Sequence, residues 1–522
     1  MPRFFNTAGP NNPQWHYTVP AAQRLPDARD LIEQQGYFVV HAPRQTGKTT
    51  TLRALARELT AEGRFAAMHF TCEEASVAGD RYGAAVRAIL HHLRDAAEKA
   101  LPPELRPPPF PEAPDERLLA AALQAWTEAC PRPLVLVFDE IDSLVGESLI
   151  SVLRQLRAGY PGRPGHFPWS LILCGMRDVR DYKLASGGAP PRLGSSSPFN
   201  IKVASSRLGD FSPEEVRDLY GQHTAETGQA FTEEAFARVY ELTAGQPWLV
   251  NALANEIVSG MKVPASEAIT PAHMDQAKER LILARATHLD SLLARLREPR
   301  VQRILEPLIA GRTMGGDELE DDVKYARDLG LIARTNPIRV ANPIYREVIV
   351  RVLATAVEVN VTDEPRAFVL PDGRLAFRKL LRAFAAFWRE HGAAMLGATP
   401  YHEVAAQLVF MAFLQRIVNG GGYVDREYGV GRGRIDLLVR WPYRLADGRP
   451  AVQRRAIELK VWRPGAPDPL EKGLSQLDGY LRSLGLRRGT LVIFDRRSKA
   501  VRKARFLDTK TRSGRAVRLL RA

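Results

Sequence analysis

The sequence has few cysteines and no long apolar run. Its three cysteines, Cys72, Cys130 and Cys174, are scattered without CxxC spacing, which argues against a zinc knuckle and favours a reducing, cytoplasmic environment. The longest apolar runs, such as LVLVF at 134–138, are far too short to span a bilayer. The N-terminus has no apolar stretch followed by a small-residue cleavage site. We therefore expect a cytoplasmic protein with no membrane segment.

Several well-known catalytic motifs are also missing. The 11 histidines include no HExxH, and no GxSxG is present, which argues against a zinc protease or a serine hydrolase. Apolar residues make up 45% and charged residues 25% of the 522 positions, as in ordinary globular proteins. This length predicts about three to four domains, and no internal repeat is evident.

Positive charge is concentrated at the C-terminal end. Residues 425–522 contain 25 Lys and Arg against 10 Asp and Glu, a net charge of +15, whereas the whole chain carries +14. The first 424 residues are therefore almost neutral. Such a local surplus predicts binding to a polyanion, most simply DNA or RNA. The alternative at this point is a solvated basic tail.

Short β-rich runs alternate with helical stretches in the first part of the chain. The runs are YFVVH at 37–41, FAAMHFT at 65–71, PLVLVF at 133–138 and SLILC at 170–174. Strands of this kind, separated by helices, predict a parallel sheet covered on both faces. We therefore predict an α/β fold for this region, with surface loops at 101–116 and 185–198 where proline and glycine accumulate.

A phosphate-binding loop is predicted at HAPRQTGKTT, although Ala42 stands where the pattern GxxxxGK[ST] opens with glycine. Such a loop works through backbone N–H groups and a helix N-terminus, which point at the phosphates. The glycine that permits close approach is Gly47; Lys48 would reach the β- and γ-phosphates and Thr49 the Mg²⁺. We expect the departure at Ala42 to leave binding intact. The predicted nucleotide-binding residues of the loop are Ala42, Pro43, Arg44, Gln45, Thr46, Gly47, Lys48, Thr49 and Thr50.

The buried run PLVLVF leads directly into two acids, Asp139 and Glu140. Asp139 would hold Mg²⁺ and Glu140 would polarise the water that attacks the γ-phosphate, so the pair predicts hydrolysis as well as binding. One further strand, 65–71, lies between the loop and the acids, as in additional-strand ATPases. Acids after a buried strand can also simply face solvent.

Residues 1–355 resemble an AAA-like ATPase of the group that includes archaeal-type predicted ATPases and the signal-transducing STAND NTPases. The carrying motifs are the loop, VLVFDEID, LILCGMRDVRDYK, TAGQPWLVNALA and DLGLIART with IRVANPIYREVI. The resemblance implies nucleotide sensing by Arg177 or Asp178 and contact of Pro247 with the base. Pro247 could instead only start a helix. No arginine finger is identifiable, so assembly into a homo-oligomer stays an open question.

The region after residue 210 is predicted to be helical, with Ser212 as N-cap, Pro213 at the first helical position and Glu215 closing a capping box. Two helices and two short strands around an Asn-Pro pair then predict a winged helix. The predicted divisions are an extended lead-in (1–30), a P-loop ATPase core (31–210), a helical lid (211–295), a winged helix (296–356), linker helices (357–395) and a C-terminal α/β domain (396–522).

Two adjacent strand patterns near the C-terminus carry charged residues. GRGRIDLLVR contains Asp436, and RRAIELKVW contains Glu458 and Lys460. Side chains alternate along a strand, so Glu458 and Lys460 share a face and Asp436 can converge with them. Two carboxylates can hold Mg²⁺, and the lysine can orient or deprotonate water for attack on a phosphodiester. The alternative is a strand salt bridge among the three.

Residues 396–522 resemble the PD-(D/E)xK nuclease superfamily, in an α-β-β-β-α-β order. The resemblance implies that Glu403 on the leading helix completes the metal shell, and that Gln476 and Tyr480 form the Gln-xxx-Tyr pair of the following helix.

Three hypotheses result. The first is an ATPase, with ATP and Mg²⁺ as cofactors, that controls a Mg²⁺-dependent nuclease with DNA as the favoured substrate. The second is a STAND-like signalling or defence switch whose C-terminal domain binds nucleic acid or a partner without cleavage. The third, a protein-remodelling ATPase, leaves the basic charge and the Asp-Glu-Lys set unexplained.

Overall fold

The computed structural model describes residues 3–20, 24–177, 200–284, 295–296, 298–309, 320–358, 365–398, 405–418, 421–430, 433–497 and 504–522. The chain divides into two compact units. The first unit comprises Met1–Asp290 and Val323–Ile344, and the second comprises Ser291–Asp322 and Tyr345–Ala522. The segment predicted as a winged helix, 296–356, therefore contributes to both units.

The first unit begins with an α/β region. Its elements are α1 (Ala28–Glu33), β1 (Tyr37–His41), α2 (Lys48–Ala61), β2 (Ala66–Thr71), α3 (Tyr82–Ala100), α4 (Leu118–Ala129), β3 (Leu134–Asp139), α5 (Gly146–Gly159), β4 (Ser170–Gly175) and β5 (Ala204–Arg207). The five strands form one sheet in the order β2-β3-β4-β1-β5, and each neighbouring pair is parallel. This confirms the predicted α/β fold with a parallel sheet.

The order of the strands in this sheet differs from their order along the chain. The strand that lies between β1 and β3 in the sheet is β4, whereas β2 lies at the edge. The short strand β5 was not predicted, because its sequence, ASSR, lacks an apolar run.

Helices cover both faces of the sheet, because both faces are apolar. All six side chains of β3 are buried. Alternate residues face opposite sides: Phe138 packs in a core that includes Trp126 on α4, and Val137 packs in a second core that includes Leu52 on α2.

A helical layer follows, made of α6 (Pro213–Thr227), α7 (Glu233–Thr243), α8 (Pro247–Asn255) and α9 (Pro271–Leu283). The predicted start of α6 is confirmed: Ser212 is the N-cap, Pro213 is the first helical residue and Glu215 completes the capping box. Two aromatic side chains of the lead-in, Phe5 and Tyr17, are buried, and their rings pack against His223 on α6.

The segment predicted as a winged helix contains α10 (Pro299–Ile309), α11 (Glu320–Asp328) and α12 (Pro343–Glu358). The two expected strands are reduced to a single antiparallel bridge between Ile332 and Val340. The winged helix itself stays a prediction.

The second unit is built on a six-stranded sheet. Its further elements are α13 (Phe377–Ala398), α14 (Ala405–Val418), β6 (Tyr423–Val430), β7 (Gly433–Arg444), β8 (Pro450–Trp462), α15 (Leu470–Ser483), β9 (Arg488–Asp495), β10 (Arg505–Lys510) and β11 (Ala516–Arg521). The strand order is β10-β11-β9-β8-β7-β6. Helix, three strands, helix and strand follow one another as predicted, whereas β10 and β11 were not predicted.

Aromatic packing covers one face of this sheet and α15 covers the other. Phe384 and Trp388 on α13 contact the ring of Phe494 on β9. On the opposite face, Leu477 and Leu481 of α15 share a buried cluster with Leu491 and neighbouring strand residues.

Candidate functional site

The predicted phosphate loop joins β1 to the N-terminus of α2. Gly47 precedes α2 with φ of 88°, a left-handed conformation that glycine adopts without strain. A Cβ added at Gly47 would meet no atom of the described residues within 4 Å. The loop therefore leaves open space at the glycine where a phosphate would approach.

Ala42 does not point into that space. It is fully buried and belongs to the core that contains Val40, Cys174 and Leu208. Its backbone N–H donates to the carbonyl of Gly175 at 3.3 Å. Because the methyl group fills core volume, the position does not need glycine.

The side chains of the loop have defined partners. Lys48 Nζ donates to the carbonyls of Ala42 (2.8 Å) and Pro43 (2.9 Å), and the hydroxyl of Thr46 donates to the carbonyl of Pro43. Thr50 Oγ1 accepts the backbone N–H of Asn11 at 3.0 Å. Arg44 and Gln45 are exposed.

Asp139 lies at the carboxyl end of β3, beside the loop. Its Oδ2 accepts from the hydroxyl of Thr49 at 2.7 Å and lies 2.8 Å from Nε2 of His69. Burial raises the pKa of Asp139, but the hydrogen bonds from His69 and Thr49 outweigh it and lower the pKa to about 2. The carboxylate is therefore ionised at neutral pH, as a metal ligand must be.

Glu140 follows with φ of 53° and is partly buried. The hydroxyl of Thr71 donates to its Oε2 at 3.3 Å. Burial raises the pKa of Glu140, and the negative charges of Glu73 and Asp139 raise it further. A carboxylate with a raised pKa is a better proton acceptor, which suits a base that activates water.

Pro247 and Arg177, both expected near the nucleotide, have identified neighbours. Pro247 starts α8, and the N-cap residue Gln246 donates its side-chain N–H to the carbonyl of Gln45 at 3.4 Å. The guanidinium of Arg177 lies 4.1 Å from the ring centre of Tyr325. Asp178 lies outside the described residues.

Sequence reasoning missed three residues at this site. His69 on β2 contacts Asp139, Gln246 contacts the loop, and Arg24 donates to the carbonyl of Thr46 at 2.9 Å. The sequence signal for His69 was a polar side chain within the mostly apolar run FAAMHFT, and the pairing of β2 with β3, which aligns Thr71 with Asp139, brings it to the site.

The residues of the phosphate loop and Asp139 fit a nucleoside triphosphate with Mg²⁺. Thr49 and the ionised Asp139 are hydrogen-bonded to each other, and such hydroxyl and carboxylate oxygens hold the metal in P-loop ATPases. The open space at Gly47 and the N-terminus of α2 suit the phosphates.

A second set of charged residues lies in the six-stranded sheet. Asp436 Oδ2 accepts the backbone N–H of Leu459 at 2.7 Å, and Lys460 Nζ lies 2.5 Å from Glu458 Oε1. β7 and β8 run antiparallel with Leu437 opposite Ile457, so the same register brings Asp436 to Glu458. The predicted convergence of Asp436, Glu458 and Lys460 is therefore observed.

The electrostatics of this set disfavour two ionised carboxylates. Glu458 is only 2% exposed. Burial raises its pKa to about 7, with a further contribution from the charge of Asp436. Burial also raises the pKa of Asp436, against the favourable charges of Lys460 and of Arg346 on α12. Perturbed carboxylates of this kind are concentrated at functional sites.

Two buried oxygens at this face have no hydrogen-bond partner among the described residues: Oε2 of Glu458 and Oε1 of Gln476 on α15. A buried acceptor without a partner is costly. Gly473, one turn before Gln476, lies against Lys460, since a Cβ there would be 3.4 Å from Lys460 Cγ. Tyr480 packs at the edge of the core under α15.

Asp436 and Glu458, the two carboxylates of this set, fit a divalent cation. Mg²⁺ in phosphate-processing sites takes one or two carboxylates and completes its shell with water and substrate oxygens. The described residues contain no group of three or more His, Cys, Asp or Glu placed to hold a metal. Glu403, the predicted third acid, lies outside the described residues.

Residues 29–182 match the family model described as an AAA domain. They contain the loop, Asp139 and Glu140, and form an AAA-type P-loop ATPase domain. No curated protein sequence matches the chain. In the described residues, no helix combines the length and apolar character needed to cross a bilayer.

Among solved structures, the chain is similar to a Walker-type ATPase of Pyrococcus abyssi, with 14% identity, 66% of this chain and 99% of that chain covered, and a TM-score of 0.46. It is also similar to the Thermotoga maritima RuvB Holliday junction branch migration motor, with 14% identity, 63% of this chain and 93% of that chain covered, and a TM-score of 0.34. A third similar structure is Cdc6p from Pyrobaculum aerophilum, with 13% identity, 67% of this chain and 96% of that chain covered, and a TM-score of 0.34.

Proposed function

We propose that the chain hydrolyses ATP at the AAA-type site and uses it to control Mg²⁺-dependent cleavage of nucleic acid, with DNA as the favoured substrate. The observation that carries the nuclease half is the convergence of Asp436, Glu458 and Lys460, in which one oxygen of the buried Glu458 has no hydrogen-bond partner among the described residues.

At the ATPase site, Thr49 and Asp139 would hold Mg²⁺, which neutralises charge on the phosphates. Lys48 would exchange its two loop carbonyls for phosphate oxygens, because an ammonium forms stronger hydrogen bonds to anions than to neutral carbonyls. Glu140 would orient the attacking water and accept its proton. Arg177 and Pro247 would contact the nucleotide.

At the second site, Asp436 and Glu458 would hold Mg²⁺, which polarises the scissile phosphate. Glu403 would add a third carboxylate, and Gln476 a neutral oxygen. Lys460 would orient the attacking water. As the water oxygen bonds to phosphorus, the water proton passes to a basic group and the P–O bond to the leaving strand breaks, and the leaving oxygen takes a proton from solvent.

The test is cleavage of labelled plasmid DNA, single-stranded DNA and RNA with Mg²⁺, with and without ATP. Lys460→Ala should abolish cleavage and keep ATP binding, whereas Lys48→Ala should abolish ATP binding. If the nuclease is gated by nucleotide, Lys48→Ala should also change the rate of cleavage. Intact DNA and RNA in every reaction would refute the nuclease assignment.

A second candidate is a nucleotide-dependent switch whose C-terminal domain binds nucleic acid without cleavage. The observation in its favour is that residues 323–344 contact the ATPase site within the first unit. A Cβ at Gly330 would lie 2.9 Å from the side chain of Pro43 in the loop, and Tyr325 packs on Arg177. This candidate predicts slow ATP turnover and nucleic-acid binding without product.

A further inference from the structure

Two arginines lie over the ring of Trp462 at the end of β8, and two more adjoin Trp462 through the backbone. The guanidinium of Arg497 lies 3.4 Å from the centre of the Trp462 ring, and that of Arg521 lies 5.2 Å away. The backbone N–H of Arg496 donates to the carbonyl of Trp462, and Arg463 is the next residue in the chain. We call these five residues the Trp462 cluster.

The side chains of Trp462 and Arg521 lie on the same face of the sheet as the second carboxylate set. Side chains alternate along β8, so Glu458, Lys460 and Trp462 share a face. Ile493 on β9 pairs with both Lys460 and Arg521, which aligns Arg521 with Lys460 two strands away. Strands are spaced about 4.8 Å apart, so their backbones lie roughly 10 Å from each other.

Two of the guanidiniums are held in fixed orientations. Arg497 donates from Nε and one terminal nitrogen to Asp495 at 2.9 and 2.7 Å, and Arg521 donates to Asp468 at 2.7 Å. A guanidinium has five N–H donors, so each keeps donors that these contacts do not use. Stacking on an aromatic ring further limits the motion of the planar group.

The Trp462 cluster contains four arginines, and ion pairs with carboxylates are observed for two of them. Arg497 and Arg521 pair with Asp495 and Asp468, and Arg463 and Arg496 add two further positive charges. Burial lowers the pKa of Arg496, and the like charge of Arg463 lowers it further. Partly exposed ion pairs contribute little stability, so packing alone does not explain this arrangement.

We propose that the Trp462 cluster is a phosphate-binding subsite that holds the nucleic-acid strand next to the position of cleavage, with Arg497 and Arg521 as its direct phosphate ligands. Its location beside a cleaved bond rests on the proposed nuclease function. Because the Trp462 ring already stacks with a guanidinium, the subsite contacts the backbone and not the bases. It therefore binds without sequence preference.

The experiment measures binding of labelled single-stranded and duplex oligonucleotides against salt concentration, without Mg²⁺ and in the Lys460→Ala background. Losing one phosphate contact should reduce the slope of log K against log salt by about 0.9 for duplex and about 0.7 for a single strand. Arg497→Gln and Arg521→Gln should each show this loss with oligonucleotides of unrelated sequence. Arg497→Lys should restore most of it.

Arg449→Gln is the matched control. Arg449 donates to Asp447, two residues before it, through the backbone N–H and Nε, as Arg497 does to Asp495. It lies eleven positions before Lys460, or roughly 35 Å along an extended strand. Its slope should equal that of the parent protein.

Unchanged slopes in both Arg497→Gln and Arg521→Gln, with melting temperatures like the parent, would overturn the proposal. So would an equal loss in Arg449→Gln, which would indicate only general charge. Reduced slopes without cleavage by the wild type in Mg²⁺ would refute the nuclease and keep the subsite. Cleavage with unchanged slopes would refute the subsite alone.

Discussion

Replacement of Glu458 by glutamine tests whether this carboxylate serves function or stabilises the sheet through its ion pair with Lys460. Glu458 is almost fully buried, and its pKa is raised from 4.5 to about 7 by burial and by Asp436. The raised value means that the folded chain holds the proton more tightly than the unfolded chain. Ionisation of Glu458 therefore destabilises the fold.

The magnitude follows from the two pKa values. A tenfold change in an equilibrium constant corresponds to about 1.4 kcal/mol, so the difference between 4.5 and about 7 amounts to about 3 kcal/mol. Between these pH values the unfolded state loses its proton first, and stability falls as pH rises. The full cost is present above about pH 7 and absent below about pH 4.5.

Glu458→Gln replaces the costly carboxylate by a neutral group of similar shape. We expect the variant to lose cleavage and yet to be more stable than the wild type by up to about 3 kcal/mol at pH 8, with little difference at pH 4. Native-state hydrogen exchange of peptides from β8, measured against denaturant without divalent cations, reports this opening free energy locally.

The control is Glu390→Gln on α13, because the Glu390 side chain is 74% exposed and its replacement should leave stability unchanged at both pH values. Lower stability of Glu458→Gln at pH 8 would refute the reasoning. It would indicate that the pair with Lys460 stabilises the sheet and would favour the structural salt bridge.

Three further predictions concern the ATPase domain. Ala42→Gly restores the usual loop glycine but should leave ATP affinity unchanged and cost about 0.5–1 kcal/mol of stability, measured by nucleotide titration and denaturation; tighter ATP binding would contradict the buried role of the methyl group. His69→Ala removes a hydrogen bond that orients Asp139. It should weaken the apparent Mg²⁺ affinity, measured from ATP hydrolysis against Mg²⁺ concentration, about 10- to 100-fold. His91→Ala, at a side chain 79% exposed, should leave this affinity unchanged. Gly245→Ala puts a Cβ 2.0 Å from the carbonyl oxygen of Phe211 at φ of +78°, so it should destabilise the start of α8 by at least about 1–2 kcal/mol and weaken ATP binding; wild-type melting and affinity would count against the observed contact between Gln246 and the loop.

Local pattern determined much of this protein. The apolar runs of β1 to β4 specify buried parallel strands, because both faces of such strands must be apolar. The spacing of Gly47, Lys48 and Thr49 predicts the loop, and strand alternation puts Glu458 and Lys460 on one face. Even the start of α6 is encoded locally, since a capping box needs only residues three apart.

Tertiary structure decided what depends on distant pairing. The position of β4 between β1 and β3, the contact of His69 with Asp139 and the burial of Phe5 and Tyr17 join segments that are far apart in sequence. Arg521 reaches Trp462 only because β11 pairs with β9, and neither strand pattern carries that information. Polar positions such as these have no periodicity of their own, so their partners are set by the packing of the surrounding apolar core.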